Sequence, residues 1–341
     1  MNPATHTRYV HIVQVLLSPR IGGAETLVRS LAQEWEARGV RSTTIYLDDE
    51  PGTRGRVGRL KALRRGLREL SPDVVLAHSY LPALYARAAW GKRVPVHSVL
   101  HSASDDFADA RPRIVEQLLR SRTASIVAVA QSQLDIYAGH FGSRVPTAVI
   151  PNGISTVFQP ADVDRTRTRI ITTLARVAVQ KRPAFWNQVV NQAGPAFPEL
   201  RFQWWGPLSG RTDLDEFVQD PQLVNGRFMG PTGDPAGLLQ NTDILFHSSE
   251  REAHSITLLE AALAGVPVVY ADSIDPPDGD PIWRFRYAAD DPEDALRVLT
   301  LVSDGWAAAR AEAVRYASTH RETYGMTRTA DRYLAWIRDQ K

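Results

Sequence analysis

Two glutamates that could work as a pair around a bound ligand lie eight residues apart, Glu252 and Glu260, in Ser249-Glu-Arg-Glu-Ala-His-Ser-Ile-Thr-Leu-Leu-Glu-Ala-Ala-Leu-Ala-Gly-Val-Pro-Val-Val269. Ionised carboxylates accept hydrogen bonds only, and hydroxyl groups are natural donors to them. Ser255 is a good N-cap, Ile256 to Ala264 has a helical pattern, Gly265 suits the residue after the helix, and Pro267 forbids continuation. The helix would open beside Ala253-His254-Ser255 and present free backbone N–H groups to an anion. Glu252 would then sit on the preceding loop and Glu260 on the second helical turn. Spacing alone favours the plainer reading, a solvated loop charge and a surface helix residue.

Two more segments carry candidate chemistry. In Ile21-Gly-Gly-Ala-Glu-Thr-Leu27 a pair of glycines falls between a strand pattern and a helix pattern, where backbone can approach a phosphate or sugar closely. It is neither a dinucleotide fingerprint nor a Walker A loop, and a tight turn explains it equally well. In Leu174-Ala-Arg-Val-Ala-Val-Gln-Lys-Arg-Pro183, Arg176 and Lys181 follow another strand pattern and could clamp a diphosphate. A solvated basic loop is the alternative.

These segments need strands to hold them. Apolar β-rich runs at Val10–Leu17, Asp73–Ala77, Val94–Leu100, Ser125–Ala130 and Thr147–Ile150 alternate with amphipathic helical stretches. Runs that are apolar on both faces indicate buried parallel strands with helical crossovers. A second series follows the polar stretch 161–169, with runs at Ile170–Ala175, Arg201–Trp205, Val224–Met229, Thr242–His247 and Val266–Tyr270. Trp204 and Trp205 end one of these strands and read as core and domain-edge packing. A last helical pattern covers Thr327 to Gln340. Two open-sheet α/β domains are therefore expected, with a ligand in a cleft near the carboxyl ends of the strands. Their expected extents are 1–160, joined by the terminal helix 325–341, and 166–324.

The 341 residues suit two domains of ordinary size, and 43% hydrophobic with 23% charged residues is a globular balance. The absence of cysteine excludes disulfides, thiolate nucleophiles and cysteine-based zinc sites. A net charge of +2 gives no sign of a nucleic-acid partner. Met1–Tyr9 lacks the regions of a signal peptide, and no apolar run approaches the length of a membrane span.

Taken in order, the segments resemble glycosyltransferase family 4, retaining enzymes of the GT-B fold. The resemblance rests on the Gly22-Gly23-x-Glu turn, Pro72-Asp-Val-Val-Leu-Ala-His78, Val99-Leu-His101 and Ile150-Pro-Asn-Gly-Ile154. It continues with the Arg176-x4-Lys181 pair, the Glu252-x7-Glu260 signature and the tail to Val269, so it spans nearly the whole chain. It implies two Rossmann-like doubly wound parallel-sheet domains. It also implies transfer of a sugar from a nucleoside diphosphate sugar, UDP before GDP, to an acceptor hydroxyl in glycan, glycolipid or natural-product biosynthesis. Retention of configuration is implied, with no enzymic nucleophile and no metal or other cofactor.

Residue by residue, the resemblance places His101 beside the transferred sugar, Arg176 and Lys181 on the leaving diphosphate, Glu252 on the sugar hydroxyls and Glu260 on the ribose. Gly22, Gly23, Gly206, Ala253, His254, Ser255 and Ile256 join the donor side, and His78 and Asp105 the acceptor side. Where the family has Gly-Phe-Gly after the first glutamate, this chain has Ala253-His254-Ser255. In place of the family's Gly-Gly-x-Pro-Glu loop it has Asp272-Ser-Ile-Asp-Pro-Pro-Asp-Gly-Asp-Pro281. An epimerase of the same fold and a catalytically silent sugar-nucleotide binder are the alternatives.

Rival motifs are Asp278-Gly-Asp280 and Asp213-Leu-Asp215, which have the form of a metal-binding Asp-x-Asp, and a His247/Glu250/His254 trio. The run Arg54–Arg68 places leucines at helical spacing with basic residues on the other faces. It reads either as a helix packing its leucines on a sheet or as a basic face at anionic lipid. A cytoplasmic chain, with peripheral contact at the inner membrane face or with a lipid-linked acceptor as the second reading, is the expectation.

Overall fold

The computed structural model describes residues 10–19, 22–48, 55–90, 93–161, 170–208, 223 and 225–340. Met1–Tyr9, most of the polar stretch 161–169, and Asp213-Leu-Asp215 lie outside these residues. The chain forms two compact units, Met1–Gly153 with Met326–Lys341, and Ile154–Gly325.

The first unit runs β1 (His11–Leu16), α1 (Gly23–Glu36), β2 (Arg41–Tyr46), α2 (Arg56–Leu70), β3 (Val74–His78), α3 (Tyr80–Trp90), β4 (Val96–Leu100), α4 (Ala110–Leu119), β5 (Ser125–Ala128), α5 (Gln131–Phe141) and β6 (Thr147–Val149). Its strands pair in parallel in the order β2-β1-β3-β4-β5-β6. β1, β3, β4 and β5 are buried along their whole length, which is why they read as predominantly apolar runs. The edge strand β2, Arg-Ser-Thr-Thr-Ile-Tyr, is half-exposed and carries no apolar run to betray it.

Helix α2 packs its leucines inward. Leu63 and Leu67 are buried, and Leu60 and Leu70 pack on the same cluster as Val13, Val15 and Val75, so the leucines belong to the sheet. The C-terminal helix Met326–Asp339 buries Ala330, Tyr333 and Ile337. The Trp35 indole on α1 donates to the Ala330 carbonyl (3.2 Å) and meets the Tyr333 ring edge-on at 6.3 Å. Trp336 donates to Ser125 Oγ at 2.8 Å. A buried ion pair crosses the same unit: both terminal nitrogens of Arg87 on α3 meet the Glu116 carboxylate on α4 at 2.7 Å, and the Tyr137 hydroxyl donates to it at 2.9 Å.

The second unit carries β7 (Ile170–Leu174), β8 (Arg201–Trp205), β9 (Gly226–Gly230), β10 (Ile244–His247), β11 (Val268–Ala271) and β12 (Arg286–Tyr287). They pair in parallel as β12-β11-β10-β7-β8-β9. Helices Pro183–Ala196, Ile256–Leu263, Pro292–Asp304 and Trp306–His320 accompany this sheet. β12 is only two residues long, too short for a pattern to reveal. Both sheets are doubly wound and parallel, the fold class the sequence implied. No described helix is long and apolar enough to cross a membrane.

Candidate functional site

In an open parallel sheet, ligands bind beyond the carboxyl ends of the strands where strand order reverses. That point lies between β1 and β3 in the first unit and between β7 and β10 in the second. The segment after β7 holds Arg176 and Lys181, and the segment after β10 holds Glu252. The segment after β1 holds Gly22, and β3 ends on His78.

In the second unit the Lys181 ammonium pairs with Glu252 Oε1, and the His247 imidazole reaches the same oxygen from 3.3 Å. Burial would push the Glu252 carboxyl up, but Lys181 and the His247 hydrogen bond outweigh it and hold it at about 2. Burial lowers the pKa of His247, partly offset by Glu252, so the ring is neutral at pH 7 and donates through Nε2. The loop is tied down by its backbone. Glu250 N donates to Gln180 O (3.0 Å), Gln180 Nε2 to Arg251 O (2.7 Å) and Ser248 Oγ to Lys181 O (2.7 Å). An ammonium has three donors, and Glu252 uses one, so Lys181 can also meet an anion. Arg176 is exposed on the same β7 loop.

Ser255 caps the helix Ile256–Leu263, its hydroxyl accepting from Leu258 N at 3.4 Å, and Gly265 follows with φ +72°. Glu260 is not a surface residue, contrary to the plainer reading of the spacing. It is 8% exposed, and among the described residues no side-chain or backbone donor bonds its carboxyl. Burial alone pushes its pKa from 4.5 to about 8. A carboxyl protonated in the fold but ionised in the unfolded chain makes stability fall as pH rises from about 4.5 to about 8. Glu260→Gln should therefore stabilise the ligand-free protein by about 2 kcal/mol at pH 8, with no gain at pH 4, when urea midpoints are compared.

His254 faces the Tyr324 ring (centroids 6.2 Å apart), and burial, opposed by Asp278, brings it down to about 4. Asp278 is consumed by structure. Its carboxylate accepts from Trp283 Nε1 (2.8 Å), Tyr316 OH (2.8 Å), Tyr324 OH (2.7 Å) and Asp280 N (2.9 Å). Asp280 caps the short turn Pro281–Arg284 through Ile282 N at 3.0 Å. The Asp278-Gly-Asp280 motif thus fastens a loop in this fold. Among the described residues no three His, Asp or Glu side chains group as metal ligands.

Gly206 follows β8 with φ +154°, and a Cβ there would stand 1.9 Å from the Ala175 carbonyl oxygen. That carbonyl accepts from the Trp204 indole at 2.8 Å and cannot step aside. Gly206→Ala is expected to cost about 3 kcal/mol, read as a lower urea midpoint.

In the first unit, Gly22 caps α1 and its carbonyl accepts from Thr26 N at 3.0 Å, with Gly23 as the first helical residue. His78 and His101 stack at 5.3 Å, with His78 Nδ1 and His101 Nε2 3.0 Å apart. Gln14, which sequence reasoning passed over as a strand residue, orders this pair. Its Nε2 donates to the Val28 carbonyl (3.2 Å) and Ser42 Oγ (3.1 Å), so Oε1 must face His78 Nε2, 3.2 Å away. His78 then donates to Gln14 through Nε2 and accepts from His101 Nε2–H at Nδ1, which leaves His101 Nδ1 with a free lone pair. Burial holds His78, with His101 beside it, well below the ordinary histidine value, and brings His101 to about 4. Both rings are neutral at pH 7. Asp105 is occupied elsewhere: it meets His140 Nε2 at 2.8 Å and accepts from Phe107 N at 2.8 Å.

Lys181 with Glu252, and His78 with His101, are thus brought together, while Glu252 and Glu260 share no hydrogen bond. His247 and Gln14 are the additional polar groups of these clusters. His247 could have been found as the last residue of a strand that ends at the switch point.

Residues 21–158 match a family model described as Glycosyltransferase Family 4. A phosphatidylinositol N-acetylglucosaminyltransferase chain of Arabidopsis thaliana is 26% identical over 254 residues, 71% of this chain but only 57% of that protein. HepE from Anabaena, solved with UDP and glucose, superposes with a TM-score of 0.78 at 14% identity, covering 97% of this chain and 100% of that one. Sucrose-phosphate synthase from Thermosynechococcus elongatus gives 0.78 at 15% identity, covering 97% and 98%. These superpositions establish the GT-B fold.

Proposed function

We propose that this chain, whose residues 21–158 match the glycosyltransferase family 4 model, moves a sugar from a nucleoside diphosphate sugar to an acceptor hydroxyl with retention of configuration. The observation that carries this reading is the Lys181–Glu252–His247 cluster at the carboxyl ends of β7 and β10. A fixed ammonium beside an ionised carboxylate suits a diphosphate attached to a sugar: the cation takes the developing negative charge, and the carboxylate takes the hydroxyls. Arg176 adds a second cation to the leaving group. Glu260, a buried carboxyl without an internal donor, suits the ribose hydroxyls. The second unit would hold the donor and the first the acceptor, with the His101 Nδ1 lone pair available to a sugar hydroxyl. No protein nucleophile takes part; the departing phosphate assists deprotonation of the acceptor.

UDP is the favoured carrier, since HepE, which shares the fold, was solved with UDP. Neither a metal nor another cofactor enters the proposed chemistry. The reading extends to a cytoplasmic chain whose basic α2 makes peripheral contact with anionic lipid or a lipid-linked acceptor.

A thermal-shift panel of UDP, GDP, ADP and TDP with their sugars tests donor binding. A ligand at 100 times its dissociation constant should stabilise by about 2.7 kcal/mol, with UDP giving the largest shift. Release of free UDP from one UDP-sugar, faster with an acceptor, is the expected turnover. Binding without turnover across candidate acceptors would leave a sugar-nucleotide binder, and an epimer formed without acceptor would leave an epimerase.

A further inference from the structure

The first unit carries a cationic groove that the proposed transfer does not use. Arg64 and Arg68 on α2, Arg93 shortly before β4 and Arg122 shortly before β5 line one cavity of about 530 Å³, with Trp90 at the end of α3 as part of its wall. These residues lie at the amino ends of β4 and β5, whereas His101 follows the carboxyl end of β4. A five-residue strand at about 3.3 Å per residue separates the two ends by roughly 16 Å. One small ligand cannot span both.

Two of the arginines, Arg64 and Arg93, are positioned without being neutralised. Arg64 donates from Nε to the Ala89 carbonyl and from Nη2 to the Ala88 carbonyl, both at 3.3 Å. The Arg93 guanidinium sits 5.8 Å from the Trp90 ring centroid. Among the described residues no carboxylate pairs with any of the four. Arg59, on the same helix, forks onto Asp48 at 2.6 and 2.9 Å, and Arg87 onto Glu116. Four exposed guanidiniums around one cavity give it a positive potential that an anion would meet favourably. Their forked donors fit the paired oxygens of phosphate better than they fit a spherical ion.

We infer that this groove is a binding site for a ligand carrying at least two phosphate charges, either a soluble diphosphate or the headgroups of an anionic bilayer. It refines the peripheral-contact reading of α2 by naming residues and chemistry, and the groove would bind phosphate whether or not the chain transfers a sugar. Leu63 and Leu67 are committed to the core, so binding here is electrostatic and should weaken steeply with salt.

The test uses the full chain in a Lys181→Ala background, which removes the ammonium of the proposed donor site. Inorganic pyrophosphate binding is measured by calorimetry, and co-sedimentation with phosphatidylcholine vesicles is measured with and without phosphatidylglycerol. Arg68→Gln/Arg122→Gln should weaken binding of at least one probe tenfold or more, while UDP binding by the otherwise wild-type protein is unchanged. Loss confined to phosphatidylglycerol vesicles identifies a membrane source, and loss confined to pyrophosphate a soluble one. Absence of binding to both probes, or binding that the double variant leaves intact, overturns the site.

Discussion

If Lys181 acts on the leaving diphosphate as proposed, Lys181→Ala is expected to lower kcat by about 10²- to 10³-fold, the range for losing one preorganised charge-stabilising donor. The argument is electrostatic. Lys181 sits at the end of the β7 loop, its carbonyl anchored by Ser248 and its ammonium by Glu252, so it is oriented before any ligand arrives. Little reorganisation is then needed when diphosphate charge develops. Its loss should fall on kcat more than on KM, because the charge on the bridging oxygen grows toward the transition state. Steady-state kinetics of UDP release with a saturating donor checks this, and an unchanged kcat would remove Lys181 from the chemistry.

Glu252 gives the same cluster a pH signature. Its folded pKa of about 2 lies below the ordinary 4.5, so the stabilisation is complete above pH 4.5 and is lost as pH falls toward 2. Acid unfolding of wild type against Glu252→Gln should converge across that window.

The largest stability effect is expected away from the site. Arg87→Met should destabilise the first unit by about 3–5 kcal/mol, because it leaves the Glu116 carboxylate buried with only the Tyr137 hydroxyl as a partner. Arg87 and Glu116 are 1% and 2% exposed, so neither can turn to water. Removing both charges should behave differently. Arg87→Met/Glu116→Leu should recover most of the loss, since the penalty arises from an uncompensated charge. Urea unfolding followed by tryptophan fluorescence measures both variants. Equal destabilisation in the single and double variants would show that packing, not charge, dominates.

Much of this molecule is legible locally. The apolar runs at His11–Leu16, Val74–His78, Val96–Leu100 and Ser125–Ala128 read as buried strands because helices cover both faces of a parallel sheet. Ser255, Gly265 and Pro267 bounded a helix, and its cap geometry follows those residues. β2 and β12 escaped notice because a half-exposed edge needs no apolar run and a two-residue strand has no period. The leucines of α2 permitted two destinations, and only the packing chose the sheet.

What the sequence by itself determined is the order of elements, their caps and the segments that must lie at the carboxyl ends of strands, since these follow from periodicity and turn chemistry within a few residues. Tertiary structure alone decided the partners. Lys181 meets Glu252 across 71 residues of chain because β7 and β10 are neighbours at the point where strand order reverses. Gln14 sets the ring nitrogens of His78 because β1 lies beside β3. Asp278 binds two tyrosines and a tryptophan rather than standing open, and Glu260 turns inward and is neutralised by burial. Each outcome depends on which strand ends and helix faces meet, and the balance of desolvation against neighbouring charges and hydrogen bonds then sets the charge of each group enclosed there.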